Sequence, residues 1–272
     1  MRSSEHPDIP EGWTETHDGV RFYLSSAGLL TFAVIAFLVG IIAAAAGNFV
    51  GLGCCLLFAL LMVLAVAYSA VVRHRRADLS TATRTVEQNG IPATEIQYSG
   101  WQFTILIALM GCAAAFCAIA AAVFFHQIAS RSVLFAVLGL LSVSFMAPVV
   151  SGRVRRGGVT LSSQGIFQRG RSFESRLDWS AVAGAKAATN GHPYILVFGY
   201  ANVDWHRRYT TRFWRIDRLP PVPMIAFDCR QFDVDPYVLY SYVRTYVDNP
   251  ELRAELGTEA ALSRARYLQP GR

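Results

Sequence analysis

The stretch VVSGRVRRGG, residues 149–158, separates two parts of the chain with different compositions. Before it, residues 132–150 contain no Asp, Glu, Lys or Arg, whereas after it short apolar segments alternate with turn residues and arginines. The stretch itself carries three arginines within four residues. It marks either the end of a membrane span or a basic arm that binds an anionic ligand or a nucleic acid.

A second stretch, VVRHRR at residues 71–76, has the same character and also ends an uncharged run. Two such copies favour membrane spans, because Lys and Arg collect at the cytoplasmic ends of spans. A helix needs roughly 20 apolar residues to cross the bilayer core, and the uncharged run 27–72 is long enough for two helices, with a break at Gly47 and Asn48. The chain is also 53% hydrophobic with a mean hydropathy of +0.32, which is high for a water-soluble protein. The sequence thus predicts four transmembrane helices, at residues 27–46, 49–72, 101–125 and 132–150.

The distribution of arginines predicts the orientation of these helices. Six arginines follow the second and fourth spans, whereas residues 47–48 are uncharged and the connection 126–131 carries one arginine. Because basic residues are retained in the cytoplasm, we expect both termini, including the N-terminal tail 1–26, and the loop 73–100 to be cytoplasmic. Lys186 is the only lysine among 25 Lys and Arg residues. Together with the richness in Ala and Gly, this suggests a GC-rich bacterial genome, so the predicted location is a bacterial plasma (inner) membrane. The tail lacks the basic segment of a cleavable signal peptide. The topology-determining arginines are Arg73, Arg75, Arg76, Arg153, Arg155 and Arg156.

The four spans are predicted to form two hairpins that repeat one another. The first helix of each hairpin carries small residues four positions apart, which allow close helix packing in lipid. The predicted spans contain no ionisable side chain at mid-membrane depth, and ion-coupled transporters usually need one. A small transporter or channel component is therefore an alternative and not the leading interpretation. The small residues are Ala36, Gly40 and Ala44 in one hairpin and Ala114, Ala118 and Ala122 in the other.

From residue 157 onward, the pattern changes to short β-strands. Apolar and polar residues alternate with a period of two between turn signals, and several short strands at this spacing indicate a strongly bent sheet or a small barrel. Asp235 before Pro236 predicts a helix start, because Asp accepts hydrogen bonds from free amides and Pro needs no partner at the first helical position. The strands are predicted at 159–161, 166–169, 176–179, 182–187, 194–200, 213–216 and 224–227, and helices from Pro236, from Pro250 after Asn249, and from Glu259.

Two segments, GVTLSSQGIFQRG (158–170) and LDWSAVAGAKA (177–187), resemble the bacterial pleckstrin-homology-like (bPH) domains that are often attached to transmembrane helices. The segment 226–258 resembles the tail of uncharacterised multi-pass membrane proteins from actinobacteria. The resemblance implies a PH-like fold, but it does not imply headgroup binding, because the first strand lacks the lysine that eukaryotic relatives use for phosphoinositides.

The predicted fold class is an α+β membrane protein. Four transmembrane helices in two hairpins are followed by a cytoplasmic PH-like small β-barrel or bent sheet, which a C-terminal helix caps. The predicted domains are the cytoplasmic tail 1–26, the transmembrane domain 27–150 with the cytoplasmic loop 73–100, the PH-like domain 157–248 and the helical tail 249–272.

The basic aromatic loop, DWHRRYTTRFWRIDR at residues 204–218, is the candidate binding surface. Arginines interleaved with aromatic residues suit anionic lipid headgroups, where each basic residue near the membrane adds about 1 kcal/mol. They also suit a protein partner, because Trp, Tyr and Arg dominate interface hot spots. The alternative is a β-hairpin with one packed aromatic face and one solvated arginine face. The candidate lipid- or partner-binding residues are Trp205, Arg207, Arg208, Arg212, Trp214 and Arg215.

No catalytic, cofactor or metal motif is found in the sequence. It contains no H-x-x-x-H pair, G-x-S-x-G elbow or P-loop, which are the motifs of common hydrolases and nucleotide-binding enzymes. We therefore expect no enzyme, no cofactor and no nucleic-acid partner. The leading interpretation is an integral membrane protein whose cytoplasmic domain is an interaction or regulatory module, as an accessory subunit of a cell-envelope complex with a membrane-protein partner or a second copy. The other hypotheses are a transporter or channel component and a sensor of anionic lipid.

Overall fold

The computed structural model describes residues 13, 19–73, 78–125 and 129–268 of the 272-residue chain. Within these residues, the chain forms two compact units. The helical unit comprises residues 19–73, 100–125 and 129–154, and the sheet unit comprises residues 13, 78–99 and 155–268.

Helices and strands of the described residues follow one another in a mixed order along the chain. The α-helices are α1 (Gly19–Ala45), α2 (Phe49–Arg73), α3 (Leu79–Ala82), α4 (Gly100–Phe124), α5 (Ala129–Ser144), α6 (Met146–Val150), α7 (Pro236–Asp248) and α8 (Glu259–Tyr267). The strands are β1 (Thr83–Gln88), β2 (Ile91–Gln97), β3 (Gly158–Ser162), β4 (Gly165–Arg169), β5 (Phe173–Asp178), β6 (Val182–Thr189), β7 (Pro193–Gly199), β8 (His206–Tyr209) and β9 (Met224–Asp228). Three short 3-10 helices are Trp179–Ala181, Cys229–Gln231 and Pro250–Glu255.

Four segments of the helical unit are long and apolar enough to cross a membrane, which confirms the predicted number of spans. Large apolar side chains on these helices are exposed, as contact with lipid requires; Phe37, for example, is 49% exposed. α1 and α5 begin before the predicted starts at residues 27 and 132, because a helix continues beyond its uncharged core into polar residues. The segments are Phe22–Ala45, Phe49–Arg73, Gly100–Phe124 and Ala129–Val150.

Small residues lie where the helices of the helical unit pack together. α1 packs against α2, α2 against α4, and α4 against α5. A Cβ atom added at Gly40 would lie 3.0 Å from Cβ of Cys55 on α2, and one added at Gly139 on α5 would lie 3.2 Å from Cβ of Cys117 on α4. Glycine thus permits the close approach of these backbones. Gly40 belongs to a predicted small-residue stripe, and the repeat of two hairpins stays a prediction.

The sheet unit contains two antiparallel sheets. One has the strand order β1-β2-β3-β4-β5-β8 and the other has the order β6-β7-β9. The predicted small barrel is not closed, because the 3-10 helix Trp179–Ala181 directs the chain out of the first sheet after β5. β5 then pairs with β8, while β6 pairs with β7 in a separate sheet.

The C-terminal helix α7 begins at the predicted residue and packs against β6. The Asp235 carboxylate accepts a hydrogen bond of 2.8 Å from the N–H of Tyr237, and Pro236 occupies the first turn. Tyr242 and Tyr246 are fully buried, so one face of the helix contributes to the core. A sheet domain with a C-terminal helix is therefore confirmed.

The described part of segment 73–100, which was predicted as a loop, contains a β-hairpin. β1 and β2 meet at Asn89 and Gly90, both with positive φ, and β2 pairs with β3 so that Gln97 lies opposite Gly158. β1 is an edge strand with mostly exposed polar side chains, so it has no apolar run that would predict a strand. The third and fourth spans are consequently inserted between two neighbouring strands.

The strand predicted at 213–216 is not formed. The Thr211 hydroxyl donates a hydrogen bond of 2.5 Å to the carbonyl of Trp214, and the N–H of Arg215 donates one of 3.1 Å to the carbonyl of Phe213. These local bonds occupy backbone groups that a strand would pair with a neighbour. The helix predicted from Pro250 is likewise only the short 3-10 segment.

Two segments from outside the predicted domain 157–248 complete the sheet unit. Trp13 donates from its indole Nε1 to the carbonyl of Ala188 at 3.0 Å, and its ring meets that of Tyr237 edge-on at 4.9 Å. In the tail, the N–H of Gly257 donates to Oγ1 of Thr94 on β2 at 2.9 Å. The compact unit therefore extends well beyond the predicted domain boundaries.

Candidate functional site

The basic aromatic loop, residues 204–218, lies at one edge of the six-stranded sheet. Its first part is the edge strand β8, in which Arg207 lies opposite Ser175 and Arg208 lies opposite Glu174. From residue 210 onward the chain leaves the sheet. Of the six candidates, Trp205 directly precedes this edge strand, Arg207 and Arg208 lie on it, and Arg212, Trp214 and Arg215 lie in the turns that follow it.

Trp205 anchors the start of the loop. Its indole Nε1 donates to Oγ of the buried Ser175 at 2.8 Å, and its ring packs against the core of the sheet unit. The Arg207 guanidinium lies 4.8 Å from the centre of the Trp205 ring and donates to the carbonyl of Pro220 at 3.0 Å. Both candidates therefore have a structural role, although Arg207 remains exposed.

Arg208 belongs to a cluster of basic side chains around one carboxylate. It pairs with Glu174 at 2.8 Å, and Glu174 also pairs with Arg169. Burial lowers the pKa of Arg169, and the positive charges of Arg155 and Arg208 lower it further, whereas Glu174 raises it. The guanidinium groups of Arg155, Arg169 and Arg208 thus interact with one another in this region, and two of them pair with Glu174.

The tip of the loop, residues 212–215, exposes an aromatic side chain between arginines. Phe213 is 75% exposed and contacts Trp214 edge-on at 5.8 Å. Arg215 lies 4.6 Å above the ring of Tyr209, and Arg212 has no ion-pair partner among the described residues. The tip thus offers an apolar group and positive charge to the same ligand. Phe213 was not among the predicted site residues.

The base of the loop contains a carboxylate that sequence reasoning missed. Asp217 accepts hydrogen bonds from the N–H of Arg171 at 2.7 Å and from Nε2 of Gln231 at 3.1 Å, and its own N–H donates to Oγ of Ser172 at 3.3 Å. Burial raises the pKa of Asp217, and the charge of Arg171 partly opposes this. A single Asp among arginines looks like a solvated charge in the sequence, so no local signal indicates this role.

Arg156 of the stretch 149–158 holds the ends of the inserted segment together. Its guanidinium donates to the carbonyl of Tyr98, and its second nitrogen donates to Oε1 of Gln97 at 3.0 Å. The N–H of Tyr98 in turn donates to the carbonyl of Gly157 at 3.2 Å. Arg156 therefore has a structural role in addition to its predicted role in topology.

Of the other five arginines that were predicted to determine topology, three lie in the described residues. Arg73 lies 4.1 Å above the ring of Phe22 on the neighbouring helix. Arg155 donates its backbone N–H to the carbonyl of Arg171 at 3.2 Å. Of the remaining three, Arg153 lies in the bend after α6, and Arg75 and Arg76 lie outside the described residues.

No group of His, Cys, Asp and Glu side chains that could hold a metal ion occurs in the described parts of the chain. Comparisons with known proteins found no family model that matches the chain, no similar curated protein and no similar solved structure. The class of protein is therefore defined by its architecture, which is that of a membrane protein with four apolar helices and a discontinuous sheet domain.

Proposed function

We propose that the chain is an integral protein of a bacterial plasma membrane and that its sheet unit is a PH-like interaction and regulatory module in the cytoplasm. The pairing of β2 with β3 supports a common side for both ends of residues 100–150, because paired strands cannot lie across a bilayer. Trp13 packs in the same unit, which supports the same side for the N-terminal tail. The arginines after the spans favour the cytoplasm as that side.

The observation that carries the proposed interaction surface is the exposure of Phe213 between Arg212 and Arg215. Covering an apolar surface stabilises a complex by roughly 25 cal/mol per Å². Arginines around such a residue select an acidic surface and accelerate its encounter. The partner that we propose is a second membrane protein with an acidic cytoplasmic face, in a cell-envelope complex of which this chain is an accessory subunit. The proposal assigns no catalytic or transport role to the chain.

An anionic lipid surface is the second candidate ligand of the loop. Ser99 directly precedes α4, and Arg155 lies only a few residues after α6, so only short chain segments connect the sheet unit to the third and fourth spans. Basic residues near anionic headgroups contribute about 1 kcal/mol each. This candidate makes the sheet unit a sensor of lipid charge.

Affinity purification of the full chain in mild detergent tests the leading proposal. The triple variant Arg212→Glu, Phe213→Ser, Arg215→Glu should lose the co-purifying membrane protein by at least about tenfold, because it removes the hot-spot side chains and reverses the charge. The matched control Arg244→Glu reverses the charge of an exposed arginine on α7 and should retain the partner.

Equal recovery of the partner by wild type and the triple variant would show that the loop does not contribute to the interaction. The lipid candidate is tested in nanodiscs of zwitterionic or anionic lipid by hydrogen exchange of residues 207–215. Protection that appears only with anionic lipid, and that the triple variant abolishes, would favour lipid over a protein partner.

A further inference from the structure

The Asp217 carboxylate is linked by hydrogen bonds to residues 99 and 155. These residues flank the segment 100–150, which carries the third and fourth spans. On one side, Oδ1 accepts from Nε2 of Gln231 at 3.1 Å, and the carbonyl of Gln231 accepts from the N–H of Ser99 at 2.6 Å. On the other side, Oδ2 accepts from the N–H of Arg171 at 2.7 Å, and the carbonyl of Arg171 accepts from the N–H of Arg155 at 3.2 Å. Residues 99 and 155 are therefore each connected to the Asp217 side chain through two hydrogen bonds.

Part of each relay is buried, whereas Gln231 is half-buried and Arg155 is exposed. Ser99 is 1% exposed, Arg171 is 5% exposed and Ser172, which accepts from the N–H of Asp217, is fully buried. A buried polar group that loses its partner carries the full desolvation penalty, and hydrogen bonds in a low-dielectric network strengthen one another. A shift of Asp217 is therefore followed by Gln231 and Arg171 more readily than it breaks the bonds to them.

The tip of the loop is closely connected to Asp217. The Thr211 hydroxyl closes the turn by its bond to the carbonyl of Trp214, and only Arg215 and Ile216 separate that residue from Asp217. If a ligand displaces Phe213 or Arg215, we expect the displacement to reach Asp217, because so few residues lie between them.

We propose that Asp217 is a coupling residue, which transmits a rearrangement of the basic aromatic loop to residues 99 and 155 and so to both ends of the segment 100–150. The inference rests on the proposed function of the loop as an interaction surface and assigns its regulation. Binding at the loop then shifts residues 99 and 155 together, because the relays through Gln231 and Arg171 start from the same carboxylate. Coupling of this kind requires an element that both sites bias.

A double-mutant cycle in the full chain, reconstituted in nanodiscs, tests the coupling without a ligand. Thr211→Val opens the tip and should raise the hydrogen exchange of the Ser99 and Arg155 amides by about threefold or more, which is within the range that such cycles resolve. In the Asp217→Ala background, which lacks both acceptor oxygens, the same change should add nothing at either amide. Thr258→Val removes the N-cap of α8 and is the control, which should leave both amides unchanged.

Gln231→Leu separates the two relays. It removes the Nε2 donor and keeps the backbone carbonyl, so Thr211→Val in this background should no longer affect Ser99 but should still affect Arg155. Exchange of the buried Tyr242 and Tyr246 amides reports whether each variant remains folded. If Thr211→Val has the same effect with Asp217→Ala, or if it affects neither amide, the coupling is wrong. The cycle uses no partner, so its outcome is independent of the purification test of the loop.

Discussion

Gly157 lies where the chain enters the sheet unit after the fourth span, and it leaves no room for a side chain. Its φ of +82° is left-handed, and a Cβ atom would lie 2.7 Å from both the carbonyl oxygen of Arg169 and Cδ2 of Tyr98. Backbone strain and a clash against packed atoms each cost on the order of 1–3 kcal/mol. We therefore expect Gly157→Ala to lower the free energy of unfolding by about 2 kcal/mol or more, measured by urea unfolding of the full chain in detergent.

Gly191 is the matched control for this substitution. Its φ of +71° is also left-handed, but no atom lies within 4 Å of the position of an added Cβ. Gly191→Ala should lower the free energy of unfolding by only about 1–2 kcal/mol, which is the cost of a left-handed backbone conformation for Ala. Equal losses for the two variants would show that the contact with Tyr98 contributes nothing.

At the residue scale, sequence patterns identified several correct candidates but not their partners. The six basic and aromatic candidates of the loop lie on one edge strand and in the segments directly before and after it, as their proximity in sequence requires. Asp217 and Arg156 acquire their roles from Gln231 and Tyr98, which are distant in sequence. A single sequence contains no local pattern for such contacts.

Among the elements, the C-terminal tail offers a pH-dependent test of its attachment. Glu255 precedes α8 and accepts hydrogen bonds from Arg264 at 3.0 Å and from the hydroxyl of Tyr246 on α7 at 2.8 Å. The bond from Arg264 lowers the pKa of Glu255 below its ordinary value of 4.5, with a further contribution from Tyr246 against the effect of burial. The charged form is therefore favoured in the folded state.

Because the folded-state pKa of Glu255 is the lower one, its stabilising contribution is present above pH 4.5 and is lost as the pH falls through the folded value. The wild-type urea midpoint should therefore fall more steeply than that of Glu255→Gln in this acidic range. Asp248→Asn, which removes an exposed pair with Arg244, should keep the wild-type slope because such pairs contribute little. If the urea midpoints of wild type and Glu255→Gln fall in parallel with pH, the lowered pKa of Glu255 in the folded state is contradicted.

Sequence reasoning succeeded for elements with a strong local signal and failed for the others. The helix α7 was predicted at its first residue because Asp235 and Pro236 define its start. The strand β1 was missed because its alternation is polar and its edge position buries little. The strand predicted at 213–216 is absent because hydrogen bonds within the loop compete with strand pairing.

For the whole molecule, composition was sufficient to predict four spans, since an uncharged run of adequate length is a local property. Composition was not sufficient to predict that one sheet contains strands that precede the third and fourth spans in the sequence and strands that follow them. That arrangement depends on pairings such as Gln97 with Gly158 and on contacts such as Gly257 with Thr94. The strands directly before and after the segment 100–150 thus pair with each other. A fragment that starts at residue 157 lacks two strands of the sheet unit.

The proposed cytoplasmic side of the sheet unit can be tested by cysteine labelling. Asn48 lies between the first two spans, whereas Asp78 and Glu259 lie in the sheet unit, and all three are exposed. In a chain without its five natural cysteines, an impermeant maleimide should label Asn48→Cys in intact cells and label Asp78→Cys and Glu259→Cys only after permeabilisation. The cysteine-free chain is the background control. Labelling of Asp78→Cys and Glu259→Cys from opposite sides would contradict the sheet pairing, because β1, β2 and the tail form one unit. Labelling of both from outside would retain that unit and overturn the cytoplasmic assignment.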